Sequence, residues 1–151
     1  MAGDGRKVVI APSAFKGSLA ADDVAGSLAE GVRRVWPEAG IEVLPVSDGG
    51  EEWVGSRVSA ADGSVVEVEV RGPLGDPVRA RYGLIEAEGR TTAIIEMAAA
   101  SGLTLVPRDR RDPRRATTYG TGELMLHALE RGAERLLVGI GGSATNDAGA
   151  G

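Results

Sequence analysis

The order of apolar and polar positions in the first 60 residues predicts a strand, a helix, a second strand and a second helix. Residues 7–11 form an apolar run that stops at Pro12, which cannot continue a β-ladder. An amphipathic helix is predicted over about 19–36 because apolar residues recur at helical spacing, at Val24, Leu28, Val32 and Val35. Ser18 is its predicted N-cap. A second strand at 41–46 and a short helix at 51–59 complete the pattern, which is typical of a parallel sheet.

The middle of the chain has a different pattern. Residues 64–70 alternate valine with charged residues, and two further strands are predicted at 78–85 and 91–96. These three strands predict an antiparallel meander that belongs to a second lobe. A helical turn or loop at 97–101 precedes the apolar residues 103–106, and an exposed arginine-rich connection follows at 107–115. We therefore divide the chain into segments 1–63, 64–116 and 117–151.

The last segment predicts a helix at about 123–131, with Thr121 as its N-cap, and then an apolar strand at 136–140 buried on both faces. A glycine-rich polar loop follows this strand. Such loops bind phosphate in α/β proteins, because glycine lets backbone N–H groups approach the anion and hydroxyls add donors. The predicted phosphate-binding residues are Gly141, Gly142, Ser143, Thr145 and Asn146.

Composition narrows the function. The 151 residues contain no cysteine and carry a net charge of −5, which excludes disulfides and argues against a nucleic-acid-binding surface. No apolar run approaches the roughly 18 residues of a membrane span. We expect a cytoplasmic protein that binds neither nucleic acid nor membrane. The only histidine, His127, lies in mid-helix, where we expect a packing or surface role.

Acidic residues, a lysine and glycine-rich loops suit magnesium and phosphate. Lys16 can neutralise phosphate charge, and Asp48 and Asp147 can hold magnesium or activate a hydroxyl. The residue pattern alone does not decide the roles of Lys16 and Asp48. Lys16 is also consistent with an ordinary surface lysine, and Asp48 is also consistent with an Asx-turn before Gly49. There is no P-loop motif, whereas residues 139–144 match the weak dinucleotide pattern G-x-G-x-x-A.

Six blocks in collinear order carry a resemblance to a known family. They are residues 9–12 with 15–19, 47–51, 72–75, 95–103, 117–124 and 139–147. On these blocks the chain resembles the bacterial glycerate kinases of the first type, over essentially its whole length. The resemblance implies an α/β fold with a Rossmann-like parallel sheet, helices on both faces and part of a second, smaller α/β domain.

The resemblance also implies ATP-dependent phosphorylation of glycerate to phosphoglycerate, with ATP and Mg²⁺ as cofactors. Lys16, Asp48 and Asp147 would be catalytic, and the two aspartates would be the magnesium ligands. Glycerate, a small-molecule substrate, would lie among loops that contain Ser18, Gly49, Gly50, Thr118 and Thr121. The oligomeric state is not predicted.

The chain departs from the family pattern at Ser13, where the family has aspartate, at Glu52 and Trp53, where it has small residues, and at Ala148, where it has glycine. Family members are also more than twice as long, so we interpret the chain as an N-terminal portion. Two alternatives remain. The pattern at 139–144 is also consistent with a fragment of a dinucleotide-binding oxidoreductase, and Ser13 together with the missing length is consistent with an inactive remnant.

Overall fold

The computed structural model describes residues 6–13, 15, 18–44, 46 and 53–151. Four predicted site residues lie outside the described residues: Lys16, Asp48, Gly49 and Gly50. The chain divides into two compact units, a first unit up to Asp48 and a second unit from Gly49 onward. The predicted segment boundaries, at 63 and 116, differ from this division.

The first unit is built on a strand–helix–strand motif, as the sequence predicted. β1 (Lys7–Ile10) and β2 (Gly40–Val43) pair in parallel, with Lys7 opposite Gly40 and Ile10 opposite Val43. α1 (Ala21–Val35) connects them. The buried cluster of this unit consists of Ile10, Ala25 and Ala29.

Two expectations about α1 are wrong. The helix begins at Ala21 instead of Leu19, and Ser18 does not cap it, because its hydroxyl donates to the carbonyl of Phe15 at 3.3 Å and closes the preceding turn. The buried face of α1 consists of Val24 and three small residues, Ala21, Ala25 and Ala29. Leu28 is exposed. The predicted larger apolar residues therefore do not form the main contact surface within this unit.

The second unit contains a four-stranded sheet in the order β3-β4-β5-β6. Its strands are β3 (Ser64–Arg71), β4 (Pro77–Ala87), β5 (Arg90–Glu96) and β6 (Arg135–Gly139). The first three form the predicted antiparallel meander, and β6 pairs in parallel with β5. The last segment of the chain therefore belongs to the same sheet as the meander.

Helices cover both faces of this sheet, which confirms the α/β class. On one face α2 (Trp53–Ala60) packs in a cluster of Val54, Val58, Ile85 and Ile94. On the other face α3 (Ala98–Ser101) and α4 (Tyr119–Glu130) pack over a larger cluster that includes Tyr82, Ile95, Ala100, Leu124 and Ala128. Successive residues of a strand point to opposite faces, so Ile94 and Ile95 belong to different clusters.

One predicted strand differs from the structure. β6 is an edge strand of the described sheet, and it is not buried on both faces, because Leu137 remains 37% exposed. Leu103–Leu105 forms a single 3₁₀ turn. The arginine-rich connection is exposed, as predicted, and includes a second 3₁₀ turn at Arg108–Arg110. None of the helices in the described part of the chain is long and apolar enough to span a membrane.

The predicted packing role of His127 is confirmed. Its Nδ1 atom lies 3.0 Å from the hydroxyl of Tyr82, whose side chain is fully buried. Burial raises the pKa of Tyr82, and the nearby charge of Arg131 opposes this effect. The histidine thus satisfies the one polar atom of a core tyrosine.

α4 begins one turn earlier than the sequence predicted, at Tyr119 instead of Glu123. Two glycines, Gly120 and Gly122, made this turn resemble a loop. In the structure a Cβ on Gly120 would lie 1.7 Å from the carbonyl oxygen of Arg71 at the end of β3, whereas one on Gly122 would meet nothing within 4 Å. Gly120 is therefore a packing residue, which allows the start of α4 to approach the sheet.

We expect Gly120→Ala to lower the free energy of unfolding by about 1–3 kcal/mol, because its Cβ overlaps a backbone oxygen and either α4 or β3 must shift. Gly122→Ala is the matched control in the same helical turn. It should raise the stability by up to about 1 kcal/mol, since alanine is the better helix former. Urea unfolding followed by circular dichroism measures both. Equal stabilities of the two variants would contradict the close approach.

Candidate phosphate-binding site

The glycine-rich loop, residues 140–151, follows β6 and is anchored on its first side by the turn after α3. The N–H of Ala144 donates to the carbonyl of Ser101 at 2.9 Å, and the N–H of Leu103 donates to the carbonyl of Gly142 at 2.8 Å. These bonds form an antiparallel bridge between Gly102 and Ser143. The beginning of the loop is thus fixed to the end of α3.

A carboxylate anchors the other side of the loop. Oδ2 of Asp147 accepts hydrogen bonds from the backbone N–H of Thr118 at 2.7 Å and from its hydroxyl at 2.9 Å. Thr118 occupies the N-cap position of α4 but makes no capping bond with its own side chain. Asp147 therefore caps α4 from a distant part of the chain, where a negative charge also complements the helix dipole.

These bonds stabilise the ionised form of Asp147. The hydrogen bond from the Thr118 backbone is the main cause that lowers the pKa of this carboxyl below its usual range, partial burial opposes it, and the Thr118 hydroxyl adds to it. Asp147 is consequently a carboxylate at neutral pH and a weak proton acceptor. A charge-bearing or anchoring role fits this state better than general-base catalysis.

Inside the loop, hydroxyls and backbone groups are arranged around Ser143. Its Oγ atom lies 2.8 Å from the Thr145 hydroxyl and accepts the N–H of Thr145 at 3.0 Å. Gly142 adopts a φ of +72°, which is favourable for glycine, and Ala148 adopts a φ of +54°, which costs energy for a residue with a Cβ. The turn geometry of the loop thus depends on glycine at one position and is strained at another.

Several backbone donors of the loop remain available. Among the described residues, no acceptor pairs with the backbone N–H groups of Gly141, Gly142, Ser143 and Asn146. Consecutive N–H groups in turn conformations can form an anion-binding concavity. The available donors therefore make this loop a candidate phosphate site.

The structure brings together many of the predicted residues of the second unit. The glycine-rich loop, Thr118 and Asp147 are directly connected, and Asn146 is exposed beside them. Thr118 and Thr121 are only 6% and 5% exposed, so contact of their hydroxyls with a substrate would require existing hydrogen bonds to open. Ser18 lies in the first unit.

Sequence reasoning missed Ser101. Its side chain is fully buried, and its Oγ atom lies 2.8 Å from the hydroxyl of Thr121. The predicted turn at 97–101 contained a signal, because a serine between alanines and a glycine is polar where its neighbours are apolar. No local pattern indicated Thr121 as its partner.

A metal ion would find few ligands in this unit alone. Within the part of the chain that the structure describes, no group of three or more histidine, cysteine, aspartate or glutamate side chains is close enough to hold a metal. The Oδ1 atom of Asp147 accepts only the N–H of Gly149, at 3.3 Å. This oxygen can contribute to a magnesium site completed by phosphate oxygens, which is a common arrangement for that ion.

Comparison with known proteins identifies the family. The family model described as the glycerate kinase family matches residues 8–151. The chain belongs to the glycerate kinase family. Relatives include the glycerate kinase of Bacillus subtilis, 57% identical over 96% of this chain, and the glycerate 2-kinase of Escherichia coli, 52% identical over 96% of it.

A solved structure agrees with this assignment. The crystal structure of a Salmonella typhimurium LT2 protein, provisionally described as glycerate kinase 2, superposes with a TM-score of 0.70 at 53% identity and covers 98% of this chain. Our chain spans only 37% of the Bacillus subtilis glycerate kinase and 38% of the Escherichia coli one. This confirms that it corresponds to a portion of such enzymes.

In this glycerate kinase family member, Asp147→Asn should lower the free energy of unfolding by about 0.5–2 kcal/mol at neutral pH, because the helix loses a charged cap. The folded-state pKa of Asp147 is depressed, so its contribution is present above the unfolded pKa of about 3.9 and is lost as the pH falls through the folded value. The stabilities of the two proteins should therefore converge in acid. Urea unfolding at a series of pH values measures this.

The control for that series is Asp109→Asn, an exposed aspartate in the arginine-rich connection. It should change the stability by less than about 0.5 kcal/mol at any pH. A stability gap between wild type and Asp147→Asn that stays constant down to acid pH would show that the Asp147 carboxylate does not cap α4.

We also expect Ala148→Gly to stabilise the chain by about 0.5–1 kcal/mol, because glycine adopts the positive φ of this position without the strain of a Cβ. Ala150→Gly, two residues later and without a positive φ, is the matched control and should be neutral or destabilising. Thermal unfolding distinguishes them. An Ala148→Gly variant that melts below the Ala150→Gly variant would refute the strain.

Proposed function

We propose that the chain is the nucleotide-phosphate-binding portion of an ATP-dependent glycerate kinase, which converts glycerate to phosphoglycerate. The observation that carries the proposal is the glycine-rich loop, with available backbone N–H donors between two fixed anchors. Membership of the glycerate kinase family supports the choice of substrate. Because the Escherichia coli relative is named a glycerate 2-kinase, 2-phosphoglycerate is the expected product.

In this proposal the backbone of Gly141, Gly142 and Ser143 binds a phosphate of the nucleotide. Thr145 and Asn146 add side-chain donors at the open side of the loop. Bound MgATP supplies the phosphoryl group and a cation that neutralises its charge. Asp147 keeps the loop in place through Oδ2 and offers Oδ1 to that cation.

The remaining roles rest on the resemblance. Lys16 would neutralise phosphate charge, and Asp48 would be the second carboxylate for magnesium or for activation of the substrate hydroxyl. Ser18, Gly49, Gly50 and Thr118 remain proposed substrate residues. A cytoplasmic location is part of the proposal, since ATP is the phosphoryl donor.

The dinucleotide-binding alternative receives no support from the loop. A dinucleotide fingerprint opens a helix at its glycines, whereas residues 141–149 form turns, a single bridge and irregular backbone. The inactive remnant remains an outcome that the experiment must distinguish.

The proposed activity is tested by phosphorus NMR with MgATP and D-glycerate, on the complete natural chain that carries these residues and on residues 1–151. We expect a phosphoglycerate signal from the complete chain, and the position of the new resonance identifies the phosphorylated hydroxyl. A reaction without glycerate controls for simple ATP hydrolysis. Absence of product from a folded complete chain would refute the kinase proposal and favour the remnant.

A further inference from the structure

The two anchors of the glycine-rich loop are joined to each other by a buried hydrogen bond. On one side Ser101 holds the loop through its carbonyl, which accepts the N–H of Ala144. On the other side Thr118 holds it through Asp147, and the N–H of Thr121 in turn donates to the Thr118 carbonyl at 2.9 Å. The Ser101 and Thr121 hydroxyls lie 2.8 Å apart, and this hydrogen bond connects the two anchors.

The two hydroxyls depend on each other. Ser101 is fully buried and Thr121 is 5% exposed, so neither is readily hydrated. Each has only the other as the partner of its hydroxyl in the described structure. Removal of either hydroxyl leaves a buried polar group without a partner, which a protein relieves by local rearrangement or by admitting water. The rearrangement would occur between the two anchors.

We propose that Ser101 and Thr121 are positioning residues, which set the separation of α3 from the first turn of α4 and thereby the shape of the phosphate-binding loop. This inference rests on the proposed function of that loop. Thr121 then acts through Ser101 and not by direct contact with glycerate. Local propensity cannot provide such a constraint, since the partners are 20 residues apart in the chain.

The packing around the pair supports a positional role. Ala100, beside Ser101, is fully buried in the cluster that also contains Leu124 of α4. Gly120, beside Thr121, is the residue that approaches the Arg71 carbonyl. The hydrogen bond therefore lies where α3, α4 and β3 meet, and a shift there changes the position of Thr118 and hence of Asp147.

The test compares Ser101→Ala, Thr121→Val and the double variant in the complete natural chain. Thr92→Val is the matched control, because Thr92 is fully buried, its hydroxyl reaches only the Arg90 carbonyl at 3.4 Å, and it lies near the start of β5, opposite the start of β6 and away from the loop. Two readouts are used: amide hydrogen exchange at Ala144 and Thr118, and KM for MgATP alongside kcat.

We expect each single variant to accelerate exchange at both amides and to raise KM for MgATP, each by about tenfold, with a smaller effect on kcat. The double variant should be no worse than the more affected single variant, because both changes break the same bond. Thr121→Ser, which keeps the hydroxyl, should restore most of the exchange protection. Thr92→Val should leave loop exchange and KM unchanged.

Three results would overturn the inference. If the amides of Ala144 and Thr118 exchange no faster in the single variants than in Thr92→Val, the hydroxyl pair does not position the loop. If the changes in exchange and KM multiply in the double variant, the two hydroxyls act independently. If activity falls only in Thr121→Val, Thr121 contacts the substrate directly. Hydrogen exchange is measured without substrate. A chain that lacks kinase activity but shows the predicted exchange pattern would therefore refute the proposed function and leave the positioning role intact.

Discussion

The carboxylate of Asp147 on the first turn of α4 is the interaction on which the rest of the candidate site depends. It accepts the backbone N–H of Thr118, the N-cap residue, which has no partner within the helix, and this hydrogen bond lowers the pKa of the Asp147 carboxyl. The same bond fixes one end of the glycine-rich loop. Helix capping and loop positioning are therefore one contact, so the geometry of the loop and the stability of α4 are coupled.

This coupling requires α4 to begin close to the sheet. The absence of a side chain at Gly120 permits that approach, and the buried bond between Ser101 and Thr121 fixes α4 relative to α3. The backbone donors of the loop can then remain unpaired while both ends of the loop are held. For the proposed phosphate-binding role, a preorganised loop of this kind avoids the entropic cost of ordering on binding.

The limits of sequence reasoning are clearest at the start of α4. Two glycines near Tyr119 lower helix propensity, so the local pattern favours a loop there and predicts Thr121 as the cap. Tertiary packing reverses both conclusions. Gly120 lies within the helix and allows it to pack against the carbonyl of Arg71, and Asp147 accepts the N–H of the N-cap residue Thr118. The strand at 136–140 shows a related limit. Its apolar run predicts β-structure correctly but does not reveal that β6 lies at the edge of the described sheet.

The sequence by itself determined the order of strands and helices, the α/β class, the glycine-rich loop after the last strand and the family. These depend on hydrophobic period, turn residues and collinear blocks, all of which are local along the chain. Only the tertiary structure decided which groups hold that loop. Thr118 and Asp147 are 29 residues apart, and Ser101 and Thr121 are 20 apart. Their pairing depends on how α3, α4 and the sheet pack, and no local pattern carries that information.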